Sequence, residues 1–264
     1  MTRVETGPGW EMRLGDCLDP VTGLASLADK SVHVTMTDPP YEVEAHTEGR
    51  RQRGRTSNGG FREVRESALP FAPIANVDRL AVAAQIARVT QHRALAFCQA
   101  EAVRDWKEAF NAAGMPYRRS MPWTKPDAMP SLHGRWPGQS YESIVLAMFP
   151  SAPACPVGGA SRRYEFTRAN PGTPGGPFSD PAPHPTTKPL PLMLQIVEDF
   201  TEPGDIVGDW FAGSGTTGVA CLSRGRRFIG WEVDPVFFDV ACRRLRGERA
   251  IPRIEQPELF GGAG

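Results

Sequence analysis

Short apolar runs alternate along the chain with segments whose apolar residues recur at the spacing of a helix. This alternation predicts an α/β architecture, in which a sheet carries helices on its faces. The apolar runs predict strands over 32–37, 94–98, 143–149, 206–210 and 227–231. Helical spacing predicts helices over 77–89, 102–113, 192–200, 216–223 and 235–246, the last with a proline near its start.

Two long segments interrupt this alternation. Residues 42–70 are polar and rich in arginine and glycine, and residues 151–183 contain 12 prolines and glycines in 33 positions. Neither segment has the period of a helix or a strand, so both are predicted to be loops. Loops of this length are uncommon in compact domains unless they have a function or are disordered.

The composition is that of a globular protein, with 264 residues of which 40% are hydrophobic and 23% are charged. These values exclude a wholly disordered chain, a collagen and a small disulfide scaffold, and they fit one large domain or two small ones. Basic and acidic residues number 30 each. That balance argues against a uniformly basic nucleic-acid binder but leaves room for a local basic patch.

The sequence predicts a cytoplasmic protein. No run approaches the roughly 18 apolar residues of a membrane span, and residues 1–10 have no signal-peptide pattern. The five cysteines are scattered and include no Cys-x-x-Cys pair. We therefore expect reduced thiols, with neither a disulfide nor a metal site.

The first candidate motif, Asp38-Pro39-Pro40-Tyr41, follows the first predicted strand. Ligands of open α/β sheets bind at the carboxyl ends of strands. The two prolines remove two backbone donors and stiffen the chain, which leaves rigid acceptors followed by an aromatic ring. This combination suits a planar substrate with an exocyclic amino group, which the acceptors bind while the ring stacks. Taken alone, the tetrapeptide fits a strand followed by a turn equally well.

The second motif, Asp-Trp-Phe-Ala-Gly-Ser-Gly-Thr-Thr over 209–217, joins a predicted strand to a predicted helix. Its small residues allow a nucleotide-like ligand to approach the backbone closely. It has neither the Gly-Lys-Ser/Thr of a phosphate loop nor the full Gly-x-Gly-x-x-Gly of dinucleotide binding. Glu232 ends the next predicted strand, where an acid can bind the two ribose hydroxyls of an adenosine.

The third motif is His-Pro-Thr-Thr-Lys-Pro over 184–189, just before a predicted helix. Its hydroxyls and its lysine could hold a carboxylate near a cofactor pocket. A capped helix start with the lysine in solvent is the alternative interpretation of these six residues.

Together the motifs resemble the β group of the amino-methylating DNA methyltransferases, which use S-adenosylmethionine and carry the Asp-Pro-Pro-Tyr motif before the glycine motif. The similarity includes Leu-Gly-Asp-Cys at 14–17, a segment ending in Trp-x-Lys at 118–125 and Tyr-Glu-Ser-Ile at 141–144, and it is closest over 184–245. It implies one Rossmann-like methyltransferase domain over 1–264, with a mostly parallel seven-stranded sheet and helices on both faces. It also implies that 42–70 is a mobile DNA-contacting loop and 151–183 a short target-recognition insertion.

The resemblance also assigns roles to individual residues. The catalytic set that binds the target amino group is Asp38, Pro39, Pro40 and Tyr41, with Tyr41 acting through its ring rather than its hydroxyl. The cofactor-binding set is Asp16, Cys17, Asp38, Thr186, Lys188, Asp209, Phe211, Gly213, Ser214, Gly215, Thr216 and Glu232.

Within the cofactor-binding set, Glu232 is expected at the ribose, and Asp16 with the Cys17 backbone at the adenine edge. Thr186 and Lys188 are expected at the methionine carboxylate. Two tryptophans depart from the family pattern: Trp210 stands where proline is usual, and Trp231 where a smaller apolar residue is common.

The resemblance implies site-specific methylation of the N6 amino group of an adenine flipped out of double-stranded DNA, because the Asp form of the tetrapeptide favours adenine. Cytosine-N4 methylation is the alternative within the family. A non-catalytic nucleotide- or DNA-binding module is the alternative from another class, against which the intact Asp38, Tyr41 and Glu232 argue. A homodimer and a cognate restriction endonuclease, as in restriction–modification systems, are compatible with the family.

An arginine cluster begins nine residues after Tyr41. We predict that these arginines contact DNA phosphates, because the cluster lies next to the predicted target pocket and net charge offers no other general attraction. The alternative is a solvated run of charge. The arginines are Arg50, Arg51, Arg53, Arg55, Arg62 and Arg65.

Overall fold

The computed structural model describes residues 3–41, 51–55, 61–65, 76–128, 138–168 and 187–247. A nine-stranded sheet with the order β1-β2-β11-β10-β3-β6-β8-β7-β9 forms its centre, and β4 and β5 pair separately. The strands are β1 (Val4–Gly7), β2 (Trp10–Leu14), β3 (Val32–Thr37), β4 (Arg51–Arg55), β5 (Phe61–Arg65), β6 (Thr90–Cys98), β7 (Tyr117–Thr124), β8 (Tyr141–Met148), β9 (Tyr164–Glu165), β10 (Ile206–Asp209) and β11 (Arg227–Glu232).

The middle of the sheet is parallel, because β2, β11, β10, β3 and β6 all run in the same direction. Strand β8 is antiparallel to β6 and to β7, and β1 is antiparallel to β2. The carboxyl ends of the five parallel strands therefore meet at one edge of the sheet. The start of β8 and the end of β7 lie at this same edge.

The prediction of seven strands is wrong, since the sheet has nine. The two outermost strands account for the difference: β1 has four residues and β9 has two. Strands this short carry too few residues to show a period. The mixed, mostly parallel α/β architecture is otherwise as predicted.

Five helices cover both faces of the described sheet. They are α1 (Asn76–Val89), α2 (Val103–Ala112), α3 (Leu190–Phe200), α4 (Thr216–Ser223) and α5 (Pro235–Leu245). Helices α1 and α2 contribute Ile86 and Phe110 to one core cluster, and α3 and α5 contribute Ile196 and Phe238 to another.

The strands divide their side chains between these two clusters. In β6, Leu95 and Phe97 join the cluster of α3 and α5, whereas Ala94, Ala96 and Cys98 join that of α1 and α2. Successive side chains of a strand point to opposite faces, so a strand buried on both faces shows a continuous apolar run. This is why the central strands were predictable from apolar runs alone.

Capping residues that are visible in the sequence set the start of α5. The Asp234 side chain accepts hydrogen bonds from Val236 N at 2.7 Å and Phe237 N at 3.3 Å, which caps α5, and Pro235 occupies its first turn. The predicted helix 216–223 coincides with α4, and the predicted 235–246 ends one residue beyond α5.

The two tryptophans that depart from the family pattern pack against each other. The rings of Trp210 and Trp231 lie 5.5 Å apart with an interplanar angle of 66°, an edge-to-face arrangement that aromatic pairs favour. Both side chains are buried in the cluster of α1 and α2. The two departures therefore occupy one place within the core.

The segment 42–70, predicted to be a loop, contains a β-hairpin. Strands β4 and β5 pair in antiparallel fashion, with Arg51 opposite Arg65 and Arg55 opposite Phe61. The irregular composition of this segment gave no strand period. Arg50 and the rest of 42–70 outside the two strands lie beyond the described residues, as do residues 169–183 of the second predicted loop.

Residues 151–168 of that second loop are described. After β8 the chain continues through this segment to β9, which extends the sheet beside β7. The Tyr164 hydroxyl donates to the buried Asp199 Oδ2 of α3 at 2.8 Å. The described part is therefore fixed to the main sheet and to α3, and is not a separate unit.

No helix within the described ranges is both long and apolar enough to cross a membrane. The five cysteines form no disulfide in the described chain, and four of them are buried.

Candidate active site

The sequence motifs converge on the edge of the sheet where the parallel strands end. Asp38 to Tyr41 follow β3, Asp209 ends β10 and Glu232 ends β11. Asp16 and Cys17 follow β2, and Lys188 precedes α3. Two groups of side chains form at this edge, one around Asp38 and one around Glu232.

The group around Asp38 is a network of charges. Lys188 Nζ lies 2.5 Å from Asp38 Oδ2, 3.3 Å from Tyr41 Oη and 3.3 Å from Glu142 Oε2. Glu142 also accepts a hydrogen bond from the Tyr41 hydroxyl and pairs with Lys125. The second carboxylate oxygen, Asp38 Oδ1, is buried and has no partner among the described residues.

The burial of this network shifts its pKa values. Burial raises the pKa of the Asp38 carboxyl, and the nearby Lys188 ammonium opposes part of the rise. Burial also acts on Glu142, but attraction by Lys188 and Lys125 outweighs it and brings its pKa to about 2. Burial lowers the pKa of Lys188, but attraction by the Asp38 and Glu142 carboxylates outweighs burial, so the pKa is raised overall. Burial raises the pKa of Tyr41 well above its usual value.

The second group surrounds Glu232 at the end of β11. Its two carboxylate oxygens accept the backbone N–H groups of Gly213 at 2.7 Å and Asp234 at 2.8 Å. The N–H of Gly15 donates to the Glu232 carbonyl at 2.9 Å, which brings the segment after β2 beside it. Asp16 in that segment is exposed, and its carboxylate accepts the N–H of Leu18 at 2.8 Å.

The glycine motif makes a tight turn between β10 and α4. Gly213 and Gly215 have φ values of 52° and 76°, a region that favours glycine. A Cβ on Gly215 would also lie only 2.9 Å from the Cβ of Ala241 in α5. Glycine is therefore favoured at 213 by the backbone conformation, and at 215 by both the conformation and the close approach of α5.

The buried Asp209 holds the same turn through hydrogen bonds. Its carboxylate accepts the Thr217 hydroxyl at 2.6 Å, the Thr37 hydroxyl at 3.1 Å and the Phe211 N–H at 3.2 Å. Burial raises the pKa of Asp209 to about 7, against the opposing effect of these donors. Asp209 is 3% exposed, and its carboxylate links the start of α4 and the end of β3 to the turn.

Arg244 of α5 also binds the glycine turn through hydrogen bonds. Its guanidinium donates to the Ser214 carbonyl at 2.6 Å, to Ser214 Oγ at 2.9 Å and to Thr216 Oγ1 at 3.0 Å. Thr187 Oγ1 lies 3.3 Å from Ser214 Oγ. The third motif thus reaches the glycine turn through Thr187, while Thr186 lies outside the described residues.

Lys188 is placed differently from what the resemblance implies. Its ammonium contacts Asp38, Tyr41 and Glu142 instead of facing the glycine turn. The Tyr41 hydroxyl, to which no role was assigned, is also part of this network. The remaining described residues of the catalytic and cofactor-binding sets lie at or follow the carboxyl ends of the parallel strands, as expected.

Three residues of the site were not predicted: Lys125, Glu142 and Arg244. Lys125 and Glu142 fall inside segments that carry the family resemblance, but their chemistry becomes visible only when β7 and β8 are paired, with Trp123 opposite Glu142. Arg244 lies in a helix whose sequence gives no sign of a contact with the glycine turn.

The cysteines near the site are poor nucleophiles. Burial raises the pKa of Cys17 to about 12, and burial also raises the pKa of Cys221. A thiol reacts as its thiolate, so neither is activated at neutral pH. No group of three or more His, Cys, Asp or Glu side chains within the described ranges is arranged to hold a metal ion.

These features define a class of protein. The sequence model of the N6/N4 methyltransferase family, described as DNA methylase, matches residues 32–243. The chain belongs to this family. The order and placement of its motifs on the sheet agree with that assignment.

Individual relatives give a finer comparison. The type II methyltransferase M.XycI of Xanthomonas campestris pv. cyanopsidis is 33% identical over 156 residues, which are 55% of this chain and 50% of M.XycI. The DNA adenine methyltransferase YhdJ of Escherichia coli K12 is 47% identical over 62 residues, which are 24% of this chain and 21% of YhdJ. The chain thus matches about half the length of the first relative and a fifth of the second.

Two solved structures share the fold. The M1.HpyAVI–SAM complex superposes with a TM-score of 0.66 at 24% identity, covering 89% of this chain and 98% of that one. The cytosine-N4-specific PvuII DNA methyltransferase superposes with a TM-score of 0.64 at 17% identity, covering 92% and 95%. At such identities the likeness shows the fold, and it confirms the predicted Rossmann-like methyltransferase architecture.

The raised pKa of Asp209 predicts a specific pH dependence of stability. Between about pH 4, the ordinary carboxyl value, and about pH 7, the folded protein holds a proton on Asp209 that the unfolded chain has lost. The free energy of unfolding therefore falls as pH rises through this window. Asp209→Asn should make that fall shallower, as measured by denaturant unfolding at a series of pH values.

Other buried acids with raised pKa values, Asp38 and Glu232, remain in both proteins, so the difference between the two curves isolates Asp209. Asp239→Asn, at an exposed position, is the matched control and should leave the slope as in the unaltered protein. Equal slopes for Asp209→Asn and the unaltered protein would show that Asp209 is ionised throughout this window.

Proposed function

We propose that this protein transfers a methyl group from S-adenosylmethionine to the N6 amino group of an adenine in double-stranded DNA. The observation that carries the proposal is the position of Asp38. Its Oδ1 is buried and unpartnered, and Asp38 shares the Lys188 ammonium with Tyr41 at the same sheet edge as the Glu232 group. Membership of the N6/N4 DNA methylase family supports the proposal independently.

The residues around Glu232 fit an adenosine-bearing cofactor. An ionised carboxylate has about four acceptor positions, and two backbone N–H groups use two of them. The remaining positions suit the two ribose hydroxyls. The turn at Gly213 and Gly215 leaves the backbone open beside Glu232, and Asp16 and Cys17 border the place expected for adenine. When bound, S-adenosylmethionine supplies the methyl group as a positively charged sulfonium.

The residues around Asp38 fit an amino group attached to a flat ring. The nitrogen of such a group is a poor nucleophile, because its lone pair is conjugated with the ring. Acceptance of its hydrogens by Asp38 Oδ1 and the Pro39 carbonyl favours a nitrogen whose lone pair is available. The Asp38 carboxylate also stabilises the positive charge that develops on the nitrogen during transfer.

The target base must leave the duplex to reach this site, which costs a few kcal/mol. Stacking on an aromatic ring such as Tyr41 returns about 1–3 kcal/mol. The ring of Tyr41 is held by its hydroxyl contact with Glu142, so its position is set before the base arrives. Orientation of both reactants at one sheet edge supplies a further part of the rate enhancement.

Cytosine-N4 methylation is the second candidate, because cytosine presents the same amino group to the same acceptors. The fold is shared with a methyltransferase named as cytosine-N4-specific, whereas YhdJ is named as an adenine methyltransferase. Expression in a host without DNA methylation, followed by modification-sensitive sequencing, reports the modified base and the recognition sequence together. Modification of cytosine alone would replace the adenine proposal with the second candidate.

Asp38→Ala is expected to abolish methyl transfer. Loss of the acceptor removes stabilisation of the developing charge, worth at least about 100-fold in rate. Radiolabelled methyl transfer to DNA measures the loss, and calorimetry should show cofactor affinity within about tenfold of the unaltered protein, since Asp38 acts on the target. Asp29→Ala, at an exposed carboxylate, is the control. Near-normal turnover by Asp38→Ala would remove Asp38 from the mechanism.

Glu232→Ala is expected to weaken S-adenosylmethionine binding by about 1.5–3 kcal/mol, the range for hydrogen bonds to a charged group. Isothermal titration calorimetry measures the change directly. Glu202→Ala, at an exposed acid, should bind the cofactor normally. Unchanged affinity in Glu232→Ala would mean that other groups hold the ribose.

The arginine cluster is proposed to bind DNA. Replacement of Arg50, Arg51, Arg53 and Arg55 by Ala should weaken DNA binding and lower the log–log salt slope by about one unit for each phosphate that is no longer neutralised. Binding titrations at several salt concentrations test this, with cofactor affinity as an internal control. Replacement of four exposed arginines elsewhere, Arg104, Arg163, Arg224 and Arg227, by Ala is the matched change, and equal salt slopes in both variants would make the cluster a solvated run of charge.

A further inference from the structure

Lys188 is fully engaged within the target site. An ammonium group has three N–H donors, and Lys188 Nζ has Asp38 Oδ2 at 2.5 Å, Tyr41 Oη at 3.3 Å and Glu142 Oε2 at 3.3 Å. Its side chain is only 10% exposed. A role on the methionine carboxylate of a cofactor would require Lys188 to give up at least one of these partners.

Glu142 holds the other end of the network. Its Oε1 pairs with Lys125, and its Oε2 accepts the Tyr41 hydroxyl and faces Lys188. The Glu142 side chain is 12% exposed and that of Lys125 15%. Strand pairing between β7 and β8 fixes Glu142 and the end of β7 that leads into Lys125, so the network rests on the sheet.

The network is electrically balanced. Asp38 and Glu142 carry two negative charges, and Lys188 and Lys125 carry two positive ones. Removal of any one member therefore leaves a net charge close to Asp38. The sign of that charge depends on which member is removed.

The geometry points to Lys188 and Glu142 as positioning residues of the target site. Lys188 occupies Asp38 Oδ2 and keeps Asp38 a carboxylate, so that Oδ1 is the acceptor presented to the target amino group. Glu142 fixes both Lys188 and the Tyr41 phenol, which sets the stacking surface relative to Oδ1. The inference rests on the proposed methyl transfer and assigns Lys188 to the target, not to the cofactor.

The test measures the pH dependence of single-turnover methyl transfer at saturating DNA and S-adenosylmethionine. Asp38 must be ionised to accept the amino hydrogens, so its pKa sets the acid limb. The titratable groups that face Asp38 directly or through the network are Lys188, Glu142, Lys125, Tyr41, Asp209 and Cys98.

Two variants should move the acid limb in opposite directions. Lys188→Met removes the cation, so the limb should move to higher pH by about one unit or more. Glu142→Gln removes a repelling charge, so the limb should move to lower pH, while the rate falls about 10- to 100-fold as Tyr41 and Lys188 lose their fixed positions. A merely structural loss would lower the rate without moving the limb in opposite senses.

Matched variants complete the design. Lys188→Arg retains the cation and should return the limb toward that of the unaltered protein. Glu198→Gln makes the same chemical change at an exposed ion pair with Arg224 and should leave the profile as it is. Calorimetry with S-adenosylmethionine should give an affinity within about threefold in all variants, which also demonstrates that each is folded.

Three results would overturn the inference. The first is an acid limb that stays in place in Glu142→Gln. The second is a shift of the acid limb in the same direction in Lys188→Met and Glu142→Gln. The third is a tenfold or greater loss of cofactor affinity in Lys188→Met. The last result would return Lys188 to the cofactor carboxylate. If Lys188→Met is too slow to follow, the limb of Glu142→Gln decides alone. An unaltered protein that transfers no methyl group would contradict the proposed function itself, which is a distinct outcome.

Discussion

The parallel direction of five central strands is the constraint on which the site depends. Because parallel strands end at one edge, Asp38, Asp209 and Glu232 are brought together although they lie far apart in sequence. The same constraint concentrates negative charge in a partly buried place. Burial of ionised carboxylates is costly unless each finds donors, so the architecture that assembles the site also creates its main electrostatic problem.

Each of the three acids meets that problem with different partners. Glu232 receives two backbone N–H groups, Asp209 receives two hydroxyls and one N–H, and Asp38 receives an ammonium. These choices match the work proposed for each. Neutral donors leave Glu232 able to accept further hydroxyls, whereas a cation keeps Asp38 charged. Asp209, whose pKa burial raises to about 7, holds the glycine turn through neutral donors.

Sequence patterns predicted most of the central fold because those strands are buried on both faces and helices α2, α3 and α5 each have one apolar stripe. Strands β1, β2, β7 and β9 and the hairpin β4–β5 were not predicted from apolar runs, because they are short or contain several polar residues. Short motifs also placed Asp38, the glycine turn and Glu232 correctly at one sheet edge. Contacts between elements that are distant in sequence could not be predicted. The contacts of Lys188 with Glu142 and of Arg244 with Ser214 depend on strand pairing and helix packing, which local sequence patterns do not show.

The long sequence separations within the site have a consequence for synthesis of the protein. Asp38 and its partner Lys188 are 150 residues apart, and Thr37 and Asp209 are 172 apart. Strand β3 also needs β10, which is made late, to complete its pairing. A nascent chain on the ribosome therefore exposes one unpaired edge of β3 until β10 has emerged, which invites chaperone binding or mispairing. The same delay means that a partly synthesised chain lacks Lys188 and Asp209 and therefore has no complete site.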